Sequence, residues 1–281
     1  MINMEWAKKV YRIFRYIILG RKLSGINAKN HVLPNFIIIG AMKSGTTSLY
    51  NYICDHPCIL PAAYDEIGFF DSNFHLGFNW YRSMFPRKKQ MEELEKKKGI
   101  SITGEDTPFY FWNEEAANRI KKYLPKVKLI VILRNPVDRA FSEFNNIKRD
   151  KKLDVDFETY FKEEIHELEN SPRDISKFSE RASIISRGIY VTQLEMWYEI
   201  FSKEQILILD TNDLMNKPDL IEKSVCKFLN LPEFYSKKVF YEKKRSYEKM
   251  NSETRDRLIE FYQPYNENFY RLVNKKFDWE K

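Results

Sequence analysis

Residues 34–56 change character three times. PNFIIIG (34–40) is an apolar run bounded by Pro and Gly. AMKSGTT (41–47) is small and hydroxyl-rich with one lysine, and SLYNYICDH (48–56) mixes apolar and polar positions. A short apolar run closed by Pro and Gly reads as a buried strand, so the segment predicts strand, loop and helix in succession. The constraint extends beyond these residues. A strand that is apolar at every position must be covered on both faces, which calls for a parallel sheet between layers of helix.

Other segments supply the rest of such a sheet. VKLIVIL (127–133) and QILILD (205–210) read as buried strands, KGISITGE (98–105) as a third, and residues 58–61 as a short strand-like run. Helices are expected over 113–123, from Pro136 onward with Asn135 as cap, and over 187–201, 218–229 and 251–274. The charged stretch 150–180 reads as a helix followed by a polar loop, SPRDISKFSE, near the substrate. The expected fold is therefore α/β: a P-loop-type central parallel β-sheet flanked by helices on both faces. Residues 1–32 form a basic helical extension and 33–281 the principal domain.

Composition narrows the function classes. With 43% hydrophobic residues in 281, the chain can bury a sizeable core, and nine Gly and eleven Pro are too few for a fibrous or disordered protein. A net charge of +7 suits an anionic ligand. The basic residues are scattered and no nucleic-acid recognition motif is present, so nucleic acid is not expected as a partner. Cys54, Cys58 and Cys226 are too few for a disulfide framework, and His56 between the first two does not complete a zinc set. No apolar run approaches the roughly 20 residues of a membrane span, and no signal-peptide pattern is present. A cytoplasmic protein is expected. The basic, aromatic segment 6–22 reads either as a helix packed on the domain or as one resting on an anionic membrane surface.

The loop at 40–48 carries the chemistry. Ligands of parallel sheets bind beyond the C-terminal strand ends, and Gly40 and Gly45 have P-loop spacing. A triphosphatase loop would place Lys after the second Gly; here Thr46 stands there and the lysine is Lys43. Lys43, the hydroxyls of Ser44, Thr46, Thr47 and Ser48, the loop amides and the helix N-terminus can hold an anion without metal. A second cationic feature follows the 127–133 strand: RNPVDRAFSEF, in which Arg134 can fork onto a phosphate and Ser142 can add a hydroxyl. Alone, Arg134 reads as a structural ion pair and Ser142 as a helix-surface polar residue.

Taken in order, KSGTTSL after one strand and RNPVDRAFSEF after a later one resemble the two nucleotide motifs of sulfotransferases that use 3'-phosphoadenosine 5'-phosphosulfate (PAPS). The likeness is greatest to the carbohydrate branch that includes heparan sulfate sulfotransferases. FHLGFNWY (74–81), TPFY (107–110) and FYRLVNKKFDW (269–279) share it. The resemblance implies that Lys43, Ser44, Gly45, Thr46, Thr47 and Ser48 hold the 5'-phosphosulfate and that Arg134 and Ser142 hold the 3'-phosphate. Lys243, Lys244, Arg245 and Ser246 resemble a loop that closes over the nucleotide, with Lys244 where Gly is usual; otherwise this run reads as a solvated basic surface. PAPS is then the co-substrate, PAP (3'-phosphoadenosine 5'-phosphate) the product, a glycan the acceptor, and no metal is required.

None of the four histidines is an obvious base: His31 precedes the core, His56 is expected to cap the loop helix, His75 lies in a loop and His166 in the charged stretch. Glu66 in DEIGFFD resembles the family's Glu-x-x-Phe-Phe base, and its aromatic neighbours are expected to desolvate it and raise its pKa. The implied reaction is in-line transfer with Glu66 taking the acceptor proton and Lys43 stabilising the departing phosphate. Asp106 stands where that branch often has Lys, and Gly68 where it often has His, which points to a different, less anionic acceptor contact. A P-loop kinase-like phosphotransferase and an inactive nucleotide-binding module are the alternatives.

Overall fold

The computed structural model describes residues 27–151, 155–170, 184–236 and 249–280. Among these residues four strands form one sheet: β1 (Phe36–Gly40), β2 (Gly104–Asp106), β3 (Lys128–Leu133) and β4 (Ile206–Asp210), in the order β2-β1-β3-β4. Every pairing is parallel, with Ile38 opposite both Asp106 and Ile130, and Leu133 opposite Asp210. Ten helices of the described residues connect and cover them. In chain order they are α1 (Thr46–Ile53), α2 (Phe78–Arg82), α3 (Lys88–Lys98), α4 (Glu114–Tyr123), α5 (Pro136–Lys151), α6 (Phe157–Asn170), α7 (Tyr190–Ile200), α8 (Thr211–Asn216), α9 (Pro218–Leu229) and α10 (Ser252–Val273).

Alternation along the strands divides the core into two layers, as strand geometry requires. Phe36, Ile38, Ile130 and Ile132 pack with Leu49, Tyr50 and Ile53 of α1 and Ile221, Val225 and Leu229 of α9. Ile37, Ile39, Leu129 and Val131 pack on the opposite face with Ile120 of α4, Phe144 of α5, Trp197 of α7 and Leu258 of α10. Helices thus cover both faces, as the sequence implied.

Local signals set the boundaries. Asn113 accepts from the Ala116 amide at the start of α4, and Asn135 from the Val137 amide at the start of α5, 2.9 Å. The expected strand over 98–105 is shorter. Lys98 ends α3, Gly99 closes that helix in the left-handed conformation (φ 83°), and the ladder proper begins only at Gly104. The run 58–61 adds a single parallel bridge, Ile59 with Ile102. The segment 187–201 begins as a 3-10 turn, Ser186–Gly188, before α7. Gly188 is required there, since a Cβ would collide with the Tyr262 ring. The segments 6–22, 171–180 and 243–246 lie outside the described residues.

Candidate active site

β1 delivers its C-terminal end into the loop that precedes α1. Two loop residues are left-handed, Lys43 (φ 66°) and Gly45 (φ 91°). Such turns gather successive backbone N–H groups on one side and make an anion-binding concavity. The first turn of α1 carries no acidic side chain, so its positive end is left for a ligand. Gly40 permits the close approach of the next strand's tail, because a Cβ there would strike the Phe111 side chain. Ser44 is fully buried, its hydroxyl close to that of Tyr190. Thr46 is buried, Ser48 half-buried and Thr47 exposed. A buried hydroxyl in a loop whose left-handed turns gather backbone amides fits an anionic oxygen.

The loop is fastened to the strand end that bears Arg134. The Thr211 hydroxyl, at the start of α8, donates to the Ser44 carbonyl at 2.6 Å and lies 2.9 Å from the Leu133 carbonyl. The Tyr190 hydroxyl donates to the Arg134 carbonyl at 2.9 Å. Lys43 and Arg134, the chain neighbours of Ser44 and Leu133, are therefore brought to one edge of the sheet. Arg134 is half-buried, and Ser142 is buried within α5. Between them, Arg139 turns inward: it is fully buried, pairs with Glu143 and donates to the Ile184 carbonyl. Glu143 also receives Arg187, whose guanidinium lies 4.8 Å from the centre of the Trp112 ring. Arg139 is thus a structural member of the motif.

On the other side of β1 lies Glu66, left-handed at φ 53°. Its amide donates to the Asp106 carbonyl at 2.9 Å, and the Gly68 amide donates to Thr107 Oγ1 at 3.1 Å. These bonds hold residues 66–68 against the end of β2, beside the strand that feeds the loop. The expected desolvation of Glu66 does not occur. Glu66 is exposed, and Phe69 and Phe70 instead turn fully into the core against Tyr81.

Burial falls on the next two carboxyls. Glu105 accepts from the Tyr81 hydroxyl (2.6 Å) and the Thr107 hydroxyl (2.8 Å), yet burial pushes it up to about 7. Asp106 is fully buried, no side chain donates to its carboxyl among the described residues, and the Glu66 amide bears on it as a donor. It is pushed up to about 8 by burial and then by the charges of Asp65, Glu66 and Glu105.

The histidines and cysteines have other tasks. His56 does not cap α1. Its Nδ1 accepts from the Cys58 amide (3.0 Å) and its Nε2 meets the Pro232 carbonyl (3.0 Å), pinning the segment that follows α9. Helix α1 ends instead at Cys54, whose amide bonds Tyr50. His75 falls in a 3-10 turn, and His31 Nδ1 meets the Phe85 carbonyl. All three cysteines are free thiols. Among the described residues there is no cluster of His, Cys, Asp or Glu arranged to hold a metal, and no helix is long and apolar enough to cross a membrane.

Thr211 and Tyr190 went unnoticed in the sequence. Thr211 directly follows β4, and the rule that ligands gather at the C-terminal strand ends could have singled it out. Tyr190 had no such signal, because its partner is a backbone carbonyl distant in sequence.

Residues 33–271 match the sulfotransferase domain family. A membrane-associated sulfotransferase of Dictyostelium discoideum is 26% identical, over 91% of this chain and 68% of its own length. The bifunctional heparan sulfate N-deacetylase/N-sulfotransferase 1 of Caenorhabditis briggsae is 33% identical over 72% of this chain, which spans only 23% of that protein. Heparan sulfate glucosamine 3-O-sulfotransferase 5 of Mus musculus is 29% identical over 88% of this chain and 74% of its own length. The crystal structure of a sulfotransferase from Alicyclobacillus acidocaldarius superposes with a TM-score of 0.67 at 23% identity, covering 89% of this chain and all of that one.

Proposed function

The chain belongs to the sulfotransferase domain family, and from that premise we propose that it moves the sulfuryl group of PAPS onto a hydroxyl or amine of a glycan-like acceptor. The observation that carries the reading is the Thr211 hydroxyl between the Ser44 and Leu133 carbonyls. One side chain fixes the phosphate loop relative to the arginine-bearing strand end, as a nucleotide with phosphates at both ends requires.

In this reading the amides of residues 43–48, the Lys43 ammonium and the hydroxyls of Ser44, Thr46, Thr47 and Ser48 hold the 5'-phosphosulfate. Arg134 and Ser142 hold the 3'-phosphate. Lys243, Lys244, Arg245 and Ser246, outside the described residues, close over the nucleotide. Glu66 stands on the opposite side of β1 from Arg134 and accepts the acceptor's proton as the new bond to sulfur forms. The old bond from sulfur to the bridging phosphate oxygen breaks, and Lys43 with the loop amides takes up the charge arriving on that oxygen. PAP leaves as product, and no metal is needed.

Exposure of Glu66 suits a base that meets its substrate from solvent. The proposal extends to a cytoplasmic protein whose segment 6–22, outside the described residues, contacts an anionic membrane surface; the Dictyostelium relative is named as membrane-associated. Calorimetry with PAP in the presence of a chelator tests the nucleotide site without knowledge of the acceptor. Binding in the micromolar range is expected, and its absence would remove the reading.

A further inference from the structure

Asn135, in the motif that follows β3, bonds through both ends of its side-chain amide. Its Oδ1 accepts from the Val137 amide at the start of α5 (2.9 Å), and its Nδ2 donates to the Trp279 carbonyl (3.2 Å). Capping does not by itself call for Asn, because Ser, Thr or Asp would accept from the same backbone amide. What Asn adds is the donor, and its partner lies in the segment after α10. That helix closes with left-handed Asn274 (φ 50°), and the chain then turns back. Lys275 meets Asp213 of α8 at 3.5 Å, and Phe277 and Trp279 are buried. The Trp279 ring stacks on Phe269 of α10, centres 5.6 Å apart, and meets the Tyr190 ring edge-on at 5.5 Å. Tyr190 in turn donates its hydroxyl to the Arg134 carbonyl. Trp279 therefore reaches the end of β3 twice, through its carbonyl to Asn135 and through its indole to the ring that bonds Arg134.

The half-exposed Lys275 pair with Asp213 is worth little. Burial of the Phe277 and Trp279 rings is what keeps the returning segment in place. Both of its links to β3 bear on the two sides of the Arg134–Asn135 peptide. An arginine fork recognises phosphate by direction as well as by charge, so the setting of its backbone matters to selectivity. We propose that residues 275–279 are a supporting part of the nucleotide site, in which Asn135 and Trp279 are positioning residues that fix the Arg134 backbone for recognition of a 3'-phosphate. The inference rests on the reading in which Arg134 holds that phosphate. It goes beyond that reading by assigning selectivity to residues that act through Arg134.

The test uses the full chain and calorimetric titration with PAP and with AMP, which lacks the 3'-phosphate. Asn135→Ser keeps the cap acceptor and loses the donor to Trp279. It is expected to weaken PAP by about five- to tenfold, the scale of one lost hydrogen bond, and to leave AMP affinity as in the parent. Trp279→Ala removes the ring against Tyr190 and should erode the same preference. Trp279→Phe, which keeps a ring and the backbone carbonyl, should restore it. A merely structural role would lower the melting temperature and weaken both nucleotides alike. An unchanged ratio of PAP to AMP affinity in Asn135→Ser therefore overturns the proposal, as does an equal loss for both nucleotides in Trp279→Ala. Should Trp279→Ala fail to fold, Asn135→Ser at its half-buried position decides the matter. Arg134→Lys separates this inference from its parent. If that variant keeps the full preference for PAP, the assignment of Arg134 to the 3'-phosphate fails. If it loses the preference while Asn135→Ser keeps it, only the supporting role of Asn135 and Trp279 falls.

Discussion

Thr211 reaches the backbone of Ser44 across the end of the sheet, its hydroxyl 2.6 Å from the Ser44 carbonyl and 2.9 Å from that of Leu133. Both carbonyls sit beside residues proposed to hold the nucleotide's two phosphates, so in that proposal the contact sets the spacing between the two anion sites. Thr211→Val keeps the shape and removes the donor. It leaves the Ser44 carbonyl without that donor, which costs roughly 1–3 kcal/mol. A lower melting temperature and a roughly tenfold weaker affinity for PAP are expected, with Thr211→Ser restoring both. Unchanged affinity in the valine variant would mean that the loop holds its position without the clamp.

Arg134 and Lys43 can be separated by the choice of ligand. Arg134→Lys retains the charge and loses the two-pronged fork, so it should weaken PAP selectively relative to AMP, which lacks the 3'-phosphate. About 1.5 kcal/mol of that preference, roughly tenfold, is expected to disappear. Lys43→Gly tolerates the left-handed backbone at 43 and removes the ammonium at the 5' end. It should weaken PAP and AMP alike and lower kcat by about 10²–10³. Equal losses for both ligands in Arg134→Lys would place Arg134 away from the 3'-phosphate.

Glu66→Gln keeps the size and the backbone bond to Asp106 and removes the proton acceptor. Transfer of label from PAPS should fall by about 10²–10⁴ in kcat, with PAP affinity and melting temperature unchanged because the side chain is exposed. A variant as fast as the parent would transfer the role of base elsewhere.

The parts of the fold that the sequence made legible are those with an unambiguous period or a chemical cap. β1, β3 and β4 are apolar at nearly every position, and α9 was read to the residue, opening at Pro218 and closing at Leu229 before left-handed Asn230. Helix α3 was invisible because KKQMEELEKKK buries only Met91 and has no apolar stripe to count. That same charged helix took Lys98 and Gly99 away from the strand expected there. The positions of the loop after β1 and of Arg134 after β3 were legible because both follow apolar strands that the sequence marks plainly. Their mutual position was not, since it depends on Thr211 and Tyr190 bonding to backbone carbonyls. The environment of Glu66 was misjudged for a related reason. Adjacent aromatics in the chain need not face an adjacent side chain, and Phe69 and Phe70 face Tyr81 instead.

Asp106 supplies a prediction in which pH is the variable. Its carboxyl is pushed up to about 8 in the folded protein, by burial first and then by Asp65, Glu66 and Glu105, whereas the unfolded chain titrates near ~3.9. Below the lower value the group is protonated in both states and costs nothing. Between the two values only the folded state keeps the proton, so stability falls as pH rises, and the penalty is complete above the higher value. An asparagine side chain at this position has no such proton to hold. The stability of Asp106→Asn relative to the parent should therefore rise steadily from pH ~4 to pH ~8, by about 1–3 kcal/mol once relaxation around the buried group is allowed for. Glu105, raised to about 7, imposes a penalty of the same sign on both proteins and largely cancels. The fixed cost of burying an amide shifts the whole curve without tilting it, so the slope is the quantity to measure, by denaturant melts across the pH range. A slope of the opposite sign would show that Asp106 is ionised and paired in the folded state.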